Sequence, residues 1–360
     1  MDKESCIANI FPFLKDIPKG FRLTGKISQK QYLVNGELRE WTGPVQEVLS
    51  PVCIRKKGAF EQINIRSYPL LSEKEAMNAL DSAVRAYNNG RGKWPTMSVE
   101  QRISCMEQFV FKMLETKDEV VKILMWEIGK SLQDSEKEFN RTIEYIRDTI
   151  NALKELDRNS SRLVIEQGII GQIRRAPLGV VLCLGPYNYP LNETFTTVIP
   201  ALIMGNAVIC KPPKLGVLLH KPLLKAFCES FPAGVVNIIY GDGPTVIGPL
   251  MKSGKIDSLA FIGSSTVADI LKKQHPKPHR LRSVLGLEAK NPTIVLRDAD
   301  PTLTAAEVAL GALSYNGQRC TALKLIFVLH EITDVFLLKL VEEINSLKFG
   351  MPWESDVRRN

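Results

Sequence analysis

Gly179-Val180-Val181-Leu182-Cys183-Leu184 is a short, apolar run rich in β-formers, and the Pro-rich loop Gly185-Pro186-Tyr187-Asn188-Tyr189-Pro190 follows it. Three runs of the same kind come later, Ala207–Cys210, Val235–Tyr240 and Ser258–Ile262, with helix-compatible segments between them. Strand–helix alternation at this spacing predicts an α/β fold with a doubly wound parallel sheet. Upstream, Ser72 and Glu75 have capping-box spacing, with Ala76, Leu80 and Val84 at helical steps behind them. A second helical zone runs from about Val99 to Lys130. A third is marked by Phe139, Ile143, Ile146, Ile150 and Leu153, one buried face from which Arg141 is excluded. Gln31–Val34 before Asn35-Gly36 reads as a strand entering a tight turn. Residues 162–175 read as a β-excursion between helical regions. Downstream, Thr293–Leu296 and Leu325–Leu329 read as strands of a second α/β unit. The expected division is 1–285, a helical region with a nucleotide-binding sheet, and 286–360, an incomplete second domain with few strands and open edges.

The bulk numbers bound the function. The 360 residues, 44% hydrophobic and 24% charged, are globular in composition. No apolar stretch approaches the ~20 residues of a membrane helix, and the N-terminus has no signal-peptide pattern. The +8 charge is scattered rather than clustered, which argues against nucleic acid as a partner and leaves attraction for small anions such as phosphates. Seven cysteines without C-x-x-C spacing, and four histidines with no cysteine at zinc spacing, argue against a disulfide scaffold or a metal site. They fit a reducing, cytoplasmic compartment.

A doubly wound sheet binds nucleotides at the carboxyl ends of its strands. The usual G-x-G-x-x-G is absent: Gly241-Asp242-Gly243 leads to Val246 where the third glycine belongs. Gly263-Ser264-Ser265-Thr266 joins a strand to a helix, an arrangement that can cradle phosphate. Lys211, in Cys210-Lys211-Pro212-Pro213-Lys214, can reach a ribose or a phosphate. Cys320 stands beside Arg319 in the Gly-containing loop Tyr315–Ala322, an electropositive setting that favours thiolate over an unperturbed thiol of pKa ~8.5.

Gly317-Gln318-Arg319-Cys320-Thr321-Ala322, the Asn188 loop, Lys211-Pro212-Pro213, Phe261-Ile262-Gly263-Ser264 and Leu287-Glu288-Ala289-Lys290-Asn291-Pro292 occur together and in order. This set resembles the aldehyde dehydrogenase superfamily, most of all its non-phosphorylating NADP-dependent glyceraldehyde-3-phosphate dehydrogenases, from about residue 30 to the end. The resemblance implies Cys320 as nucleophile. It implies Asn188, with the Cys320 N–H, as the oxyanion donors, an arrangement suited to charge developing on the carbonyl oxygen. It implies Pro186, Lys211, Gly243, Gly263 and Ser264 around NADP, with NAD as the alternative dinucleotide. Lys214 stands where many NAD-using relatives have Glu, and its charge favours a 2′-phosphate. Arg141, Tyr189 and Arg319, with Thr321 beside Cys320, imply a phosphorylated aldehyde. The 162–175 excursion implies homo-oligomer formation.

Two departures stand out. The family's L-E-L-G-G-K reads Leu285-Gly286-Leu287-Glu288-Ala289-Lys290 here, so Gly286 takes the usual base position and Glu288 is the candidate base two residues later, on the same strand face. The chain also stops at Arg358-Arg359-Asn360, before the family's later Glu-x-Phe motif, so it reads as C-terminally truncated. The expectation is oxidation of glyceraldehyde 3-phosphate to 3-phosphoglycerate. The competing expectation is an inactive relative that binds nucleotide or pairs with a full-length subunit. A cysteine hydrolase lacks a matching histidine, since His220, His275, His279 and His330 fall outside the motif loops.

Overall fold

The computed structural model describes residues 10–23, 27–56 and 59–355; Cys6 and the rest of the first nine residues, and Arg358-Arg359-Asn360, lie outside them. A seven-stranded sheet runs in the order Arg282–Leu287, Ser258–Gly263, Val180–Leu184, Ala207–Lys211, Val236–Ile238, Gln31–Val34, Glu37–Glu40. The first five strands are parallel, with Ala260 opposite Cys183 and Cys183 opposite Cys210. Every residue of Val180–Leu184 is buried, the expected state of a strand covered on both faces. The Asn35-Gly36 hairpin adds an antiparallel edge, and both turn residues have positive φ (58° and 73°), as a two-residue hairpin turn requires.

Strand order reverses direction beside Val180–Leu184. With right-handed crossovers, helices Asn192–Ile203 and Leu223–Ser230 cover one face, and Gly243–Lys252 and Ser265–Gln274 the other. Helix Glu73–Tyr87 carries the Ser72/Glu75 capping box in full and packs on Gly243–Lys252. The zone 99–130 is two helices, Val99–Leu114 and Lys117–Ile128. The long helix Leu132–Ser160 buries Phe139, Ile143, Ile146, Ile150 and Leu153, the stripe read from its spacing. Phe109, Phe195, Phe227 and Phe231 cluster where these helices meet.

Two features depart from the sequence reading. Val45–Lys56 and Ala59–Pro69 form a long antiparallel hairpin that the mixed composition of residues 1–70 conceals. Arg282–Leu287 is the fifth parallel strand. Its burial alternates because it lies at the sheet edge, so no continuous apolar run announces it.

Residues 164–171 form a two-stranded hairpin with Ile165 and Ile169 over 70% exposed. In the second unit, Asn291–Val295 pairs in parallel with Leu323–Val328, flanked by helices Pro301–Leu313 and Thr333–Asn345. Its core is small (Val295, Ala305, Val308, Phe336), and Ile294 and Phe327 stay exposed on its sheet. Past it, Met351 and Trp353 return to the large core. Trp353 packs on Trp126 at 5.3 Å, and the Leu132 N–H donates to Pro352 O at 2.7 Å.

Candidate active site

A cleft of about 320 Å³ opens at the carboxyl ends of the parallel strands, beside the point where strand order reverses. Leu184 and Gly185 from one strand end, Lys211 to Pro213 from the next and Phe261 from a third line it, together with Gly243 and Pro244 and with Val267 and Ile270 of helix Ser265–Gln274. A Cβ on Gly243 would meet no atom within 4 Å, so this glycine leaves the cleft mouth open. Lys211 Nζ donates to Pro212 O at 3.1 Å. Burial draws its pKa down, Asp242 and Cys210 oppose that shift and the Lys214 charge adds to it; Lys214 itself is exposed. Pro186 follows Gly185 and is partly buried.

Gly263 and Ser264 have local explanations. A Cβ on Gly263 would lie 2.4 Å from the Phe261 ring, so the glycine serves that ring's packing. Ser264 is the N-cap of helix Ser265–Gln274, its hydroxyl accepting from Val267 N–H at 3.4 Å.

Glu288 has an occupation that the expected base role did not include. Its carboxylate accepts from Ser265 N–H at 2.7 Å and Ser265 Oγ–H at 2.6 Å, at the same helix start. Those bonds, the hydroxyl's first, hold its pKa below the usual carboxylate range, which makes it a weaker proton acceptor. Among the described residues no hydrogen bond joins Glu288 to Cys320. A carboxylate at this helix end also opposes a phosphate approaching it.

The Cys320 loop comes from the second unit and meets the Asn188 loop of the first. Asn188 Nδ2 donates to Gln318 O at 2.6 Å, two residues before Cys320. Asn291 Nδ2 donates to Cys320 O at 2.5 Å and to Ala322 O at 3.1 Å, which pins the loop to the strand that Asn291 opens. Tyr315, Asn316 and Gly317 all have positive φ (54°, 55° and 71°), a strained run of the sort found at functional loops. Cys320 is partly exposed and Thr321 exposed.

Of the anion-binding candidates, Tyr189 packs against Tyr315 with ring centroids 4.7 Å apart, and Arg319 lies over Tyr315 at 5.4 Å. Arg141 is exposed, and with Arg319 and Lys130 it acts electrostatically on Glu193; burial first and Glu138 second raise the pKa of Glu193. His220 is buried behind this loop against Pro190 O at 3.2 Å, and burial draws its pKa down to about 4.

Sequence reading missed three buried ionisable side chains here. Lys130 pairs with Glu138, and its ammonium lies 3.9 Å from the Tyr189 ring centroid and 4.8 Å from that of Tyr315. Glu138 Oε1 accepts from the Leu191 and Asn192 N–H groups at 3.0 and 3.1 Å. Glu127 accepts from Val217 N–H at 2.8 Å and Leu218 N–H at 3.0 Å, just past the Lys211–Lys214 loop. One signal was available: Glu138 shares the buried stripe of its helix with Ser135, Phe139 and Thr142, where a lone carboxylate needs a partner. Among the described residues no cluster of side chains suits a metal ion, and no helix is long and apolar enough to cross a membrane.

The sequence pattern of the aldehyde dehydrogenase family matches residues 53–359. Malonate-semialdehyde dehydrogenase of Bacillus cytotoxicus is 32% identical over 330 residues, 91% of this chain and 65% of that protein. NADP-dependent glyceraldehyde-3-phosphate dehydrogenase of Streptococcus equinus is 31% identical over 291 residues, 79% of this chain and 60% of that protein. This chain therefore spans less than two thirds of the length of these curated relatives. The crystal structure of NADP-dependent glyceraldehyde-3-phosphate dehydrogenase from Bacillus halodurans C-125, complexed with NADP, superposes with a TM-score of 0.79 at 29% identity, over 92% of this chain and 67% of that one. Lactaldehyde dehydrogenase from Escherichia coli shares the fold, with a TM-score of 0.82 at 24% identity over 93% of this chain and 68% of that one.

Proposed function

The chain belongs to the aldehyde dehydrogenase family, and we propose that it oxidises an anionic aldehyde to the carboxylate with NADP through Cys320. The observation that carries this reading is the Asn188 Nδ2–Gln318 O bond at 2.6 Å, which holds an amide donor against the loop bearing the thiol. Cys320 Sγ attacks the aldehyde carbon. Asn188 Nδ2 exchanges the neutral Gln318 carbonyl for the developing oxyanion, a charge-assisted and therefore stronger acceptor, and the Cys320 N–H is the second donor. Bound in the cleft, a nicotinamide dinucleotide would supply the acceptor for the hydride. Water then cleaves the Cys320 thioester, freeing the carboxylate and restoring the thiol. With its carboxylate engaged by Ser265, Glu288 is not assigned the base for that step.

The cleft suits a dinucleotide through its open Gly243 mouth and through Lys211, with exposed Lys214 one residue past its lining and Glu288 as an opposing charge. Titration of NADP and NAD against variants tests each charge. Lys214→Glu is expected to lower the NADP-over-NAD ratio about 10²-fold, from two successive charge changes worth ~1.4 kcal/mol each. Glu288→Gln keeps the shape, loses the charge, and is expected to tighten both dinucleotides. An unchanged ratio would make Lys214 a surface residue only.

Glyceraldehyde 3-phosphate, giving 3-phosphoglycerate, is the substrate reading that Arg141, Arg319 and Tyr189 support best. Malonate semialdehyde, also an anion, is the second, favoured by the 32% identical relative. Arg141→Ala is expected to raise KM for the favoured anionic aldehyde about tenfold, the ~1.4 kcal/mol of one screened ion pair, while leaving glyceraldehyde unaffected. Assays of NADPH formation with all three aldehydes decide between the readings. No turnover on any of them would favour the inactive, nucleotide-binding alternative. A cytoplasmic location and subunit pairing through the exposed 164–171 hairpin complete the proposal.

A further inference from the structure

Lys130 lies between two helices, after Gly129 caps Lys117–Ile128 in the left-handed conformation (φ 76°) and before Ser131 caps Leu132–Ser160. Lysine is rarely buried, yet this side chain is 5% exposed and Glu138 is 0% exposed. Taking both charges out of water costs several kcal/mol per ion before their attraction offsets it. Simple helix linking does not call for such a pair, and its contacts give it a use. One oxygen of Glu138 holds the ammonium, and the other holds the N–H groups of Leu191 and Asn192, directly after the Asn188-Tyr189-Pro190 segment. The ammonium lies against the Tyr189 ring, adjacent to Asn188, and against the Tyr315 ring, five residues before Cys320. A desolvated cation against aromatic faces is attracted to both, and here the two faces belong to the two loops that must meet.

We propose that Lys130 is a positioning residue: anchored by Glu138, its ammonium draws the Tyr189 and Tyr315 rings together and so sets the Cys320 loop against Asn188. The proposal rests on the reading of Cys320 as nucleophile and Asn188 as oxyanion donor. It predicts that the charge at position 130 matters to loop geometry beyond its effect on stability.

The experiment compares full-chain Lys130→Met, Lys130→Arg and the double variant Lys130→Met/Glu138→Gln with the wild type. Three readouts are needed: thermal unfolding, the rate at which iodoacetamide labels Cys320 (followed by peptide mass), and kcat with KM. Lys130→Met alone leaves Glu138 buried and unpaired, so it is expected to lose stability. The double variant removes both charges and is expected to regain most of it, without regaining the link between the rings. In the double variant, Cys320 labelling is expected to change at least threefold. Its kcat is expected to fall about 10²-fold, the scale of a small misplacement of reacting groups, with the dinucleotide KM within twofold of wild type. Lys130→Arg, which keeps a cation over the rings, is expected to recover labelling towards the wild-type rate. A double variant as stable as wild type, with wild-type labelling of Cys320, would overturn the proposal and leave Lys130 a packing residue. The labelling result stands apart from turnover. A wild type without aldehyde oxidation would defeat the functional reading, while labelling alone would still decide whether Lys130 positions the loop.

Discussion

Cys320→Ala is expected to lower aldehyde oxidation by at least about 10⁴-fold, the scale seen when a covalent nucleophile is removed. The substitution deletes one sulfur from a partly exposed loop position and touches no core packing, so the fold should be unaffected. The loop is held by other atoms: Asn291 Nδ2 bonds the Cys320 and Ala322 carbonyls, and Asn188 Nδ2 bonds Gln318 O. None of these contacts involves the sulfur. NADP affinity should therefore stay within about twofold of wild type, because the cleft that would hold it is lined by other residues. The other cysteines serve as internal controls. Cys183 and Cys210 are fully buried in the sheet, and burial raises both thiol pKa values, Cys210's to about 12, so neither can substitute as nucleophile. Iodoacetamide should inactivate the wild type and leave its mark on Cys320. Retention of turnover in Cys320→Ala, in a protein that oxidises aldehydes, would sink the assignment.

The second large effect concerns Glu127. Glu127→Ala would leave the buried Val217 and Leu218 N–H groups without their acceptor, at ~1–3 kcal/mol each. The expected loss of unfolding free energy is about 2–6 kcal/mol, read by urea denaturation. Since Gly216 and Val217 lead straight out of the Lys211–Lys214 segment, dinucleotide affinity should fall with it. Burial pushes the Glu127 carboxyl up to about 8 from an ordinary 4.5, against the opposing pull of the Leu218 and Val217 amides. The folded protein thus binds this proton more tightly than the unfolded chain does. Its contribution to stability is complete below the ordinary carboxyl pKa and drains away as pH rises through about 8. Glu127→Gln cannot ionise, so its stability should fall less than wild type's between about pH 5 and pH 8. Parallel pH–stability curves for the two proteins would show that Glu127 is already ionised at neutral pH.

The central architecture was legible because its physics is local. Val180–Leu184, Ala207–Lys211 and Ser258–Gly263 are covered on both sides, so nearly every residue in them is apolar and the runs announce themselves. Ser72 with Glu75, and Asn35 with Gly36, encode a cap and a turn in adjacent residues. The nearness of Asn188 to Cys320, 132 positions apart in the chain, could be read only through the resemblance of their motifs, and the Asn188–Gln318 bond now gives it a geometry.

Tertiary structure decided what depended on partners from distant segments. Val45–Lys56 and Ala59–Pro69 carry charged residues on a solvated face, so pairing rather than composition makes them strands. A lysine or glutamate in a sequence reads as surface by default, and only the meeting of Lys130 with Glu138, Tyr189 and Tyr315 makes these charges internal. Gly263 looked like part of a phosphate cradle, yet it is the Phe261 ring that excludes a side chain there. Glu288 had the chemistry of a base and a place on the expected strand face. Its carboxylate goes instead to the start of helix Ser265–Gln274, because pairing with the strand Ser258–Gly263 leaves the end of Arg282–Leu287 beside that helix start, where the Ser265 N–H and hydroxyl donate to it. Residue types and their order determined the sheet and its motifs, whereas the direction in which each charged side chain points was set by which helix end or ring the fold brought within reach.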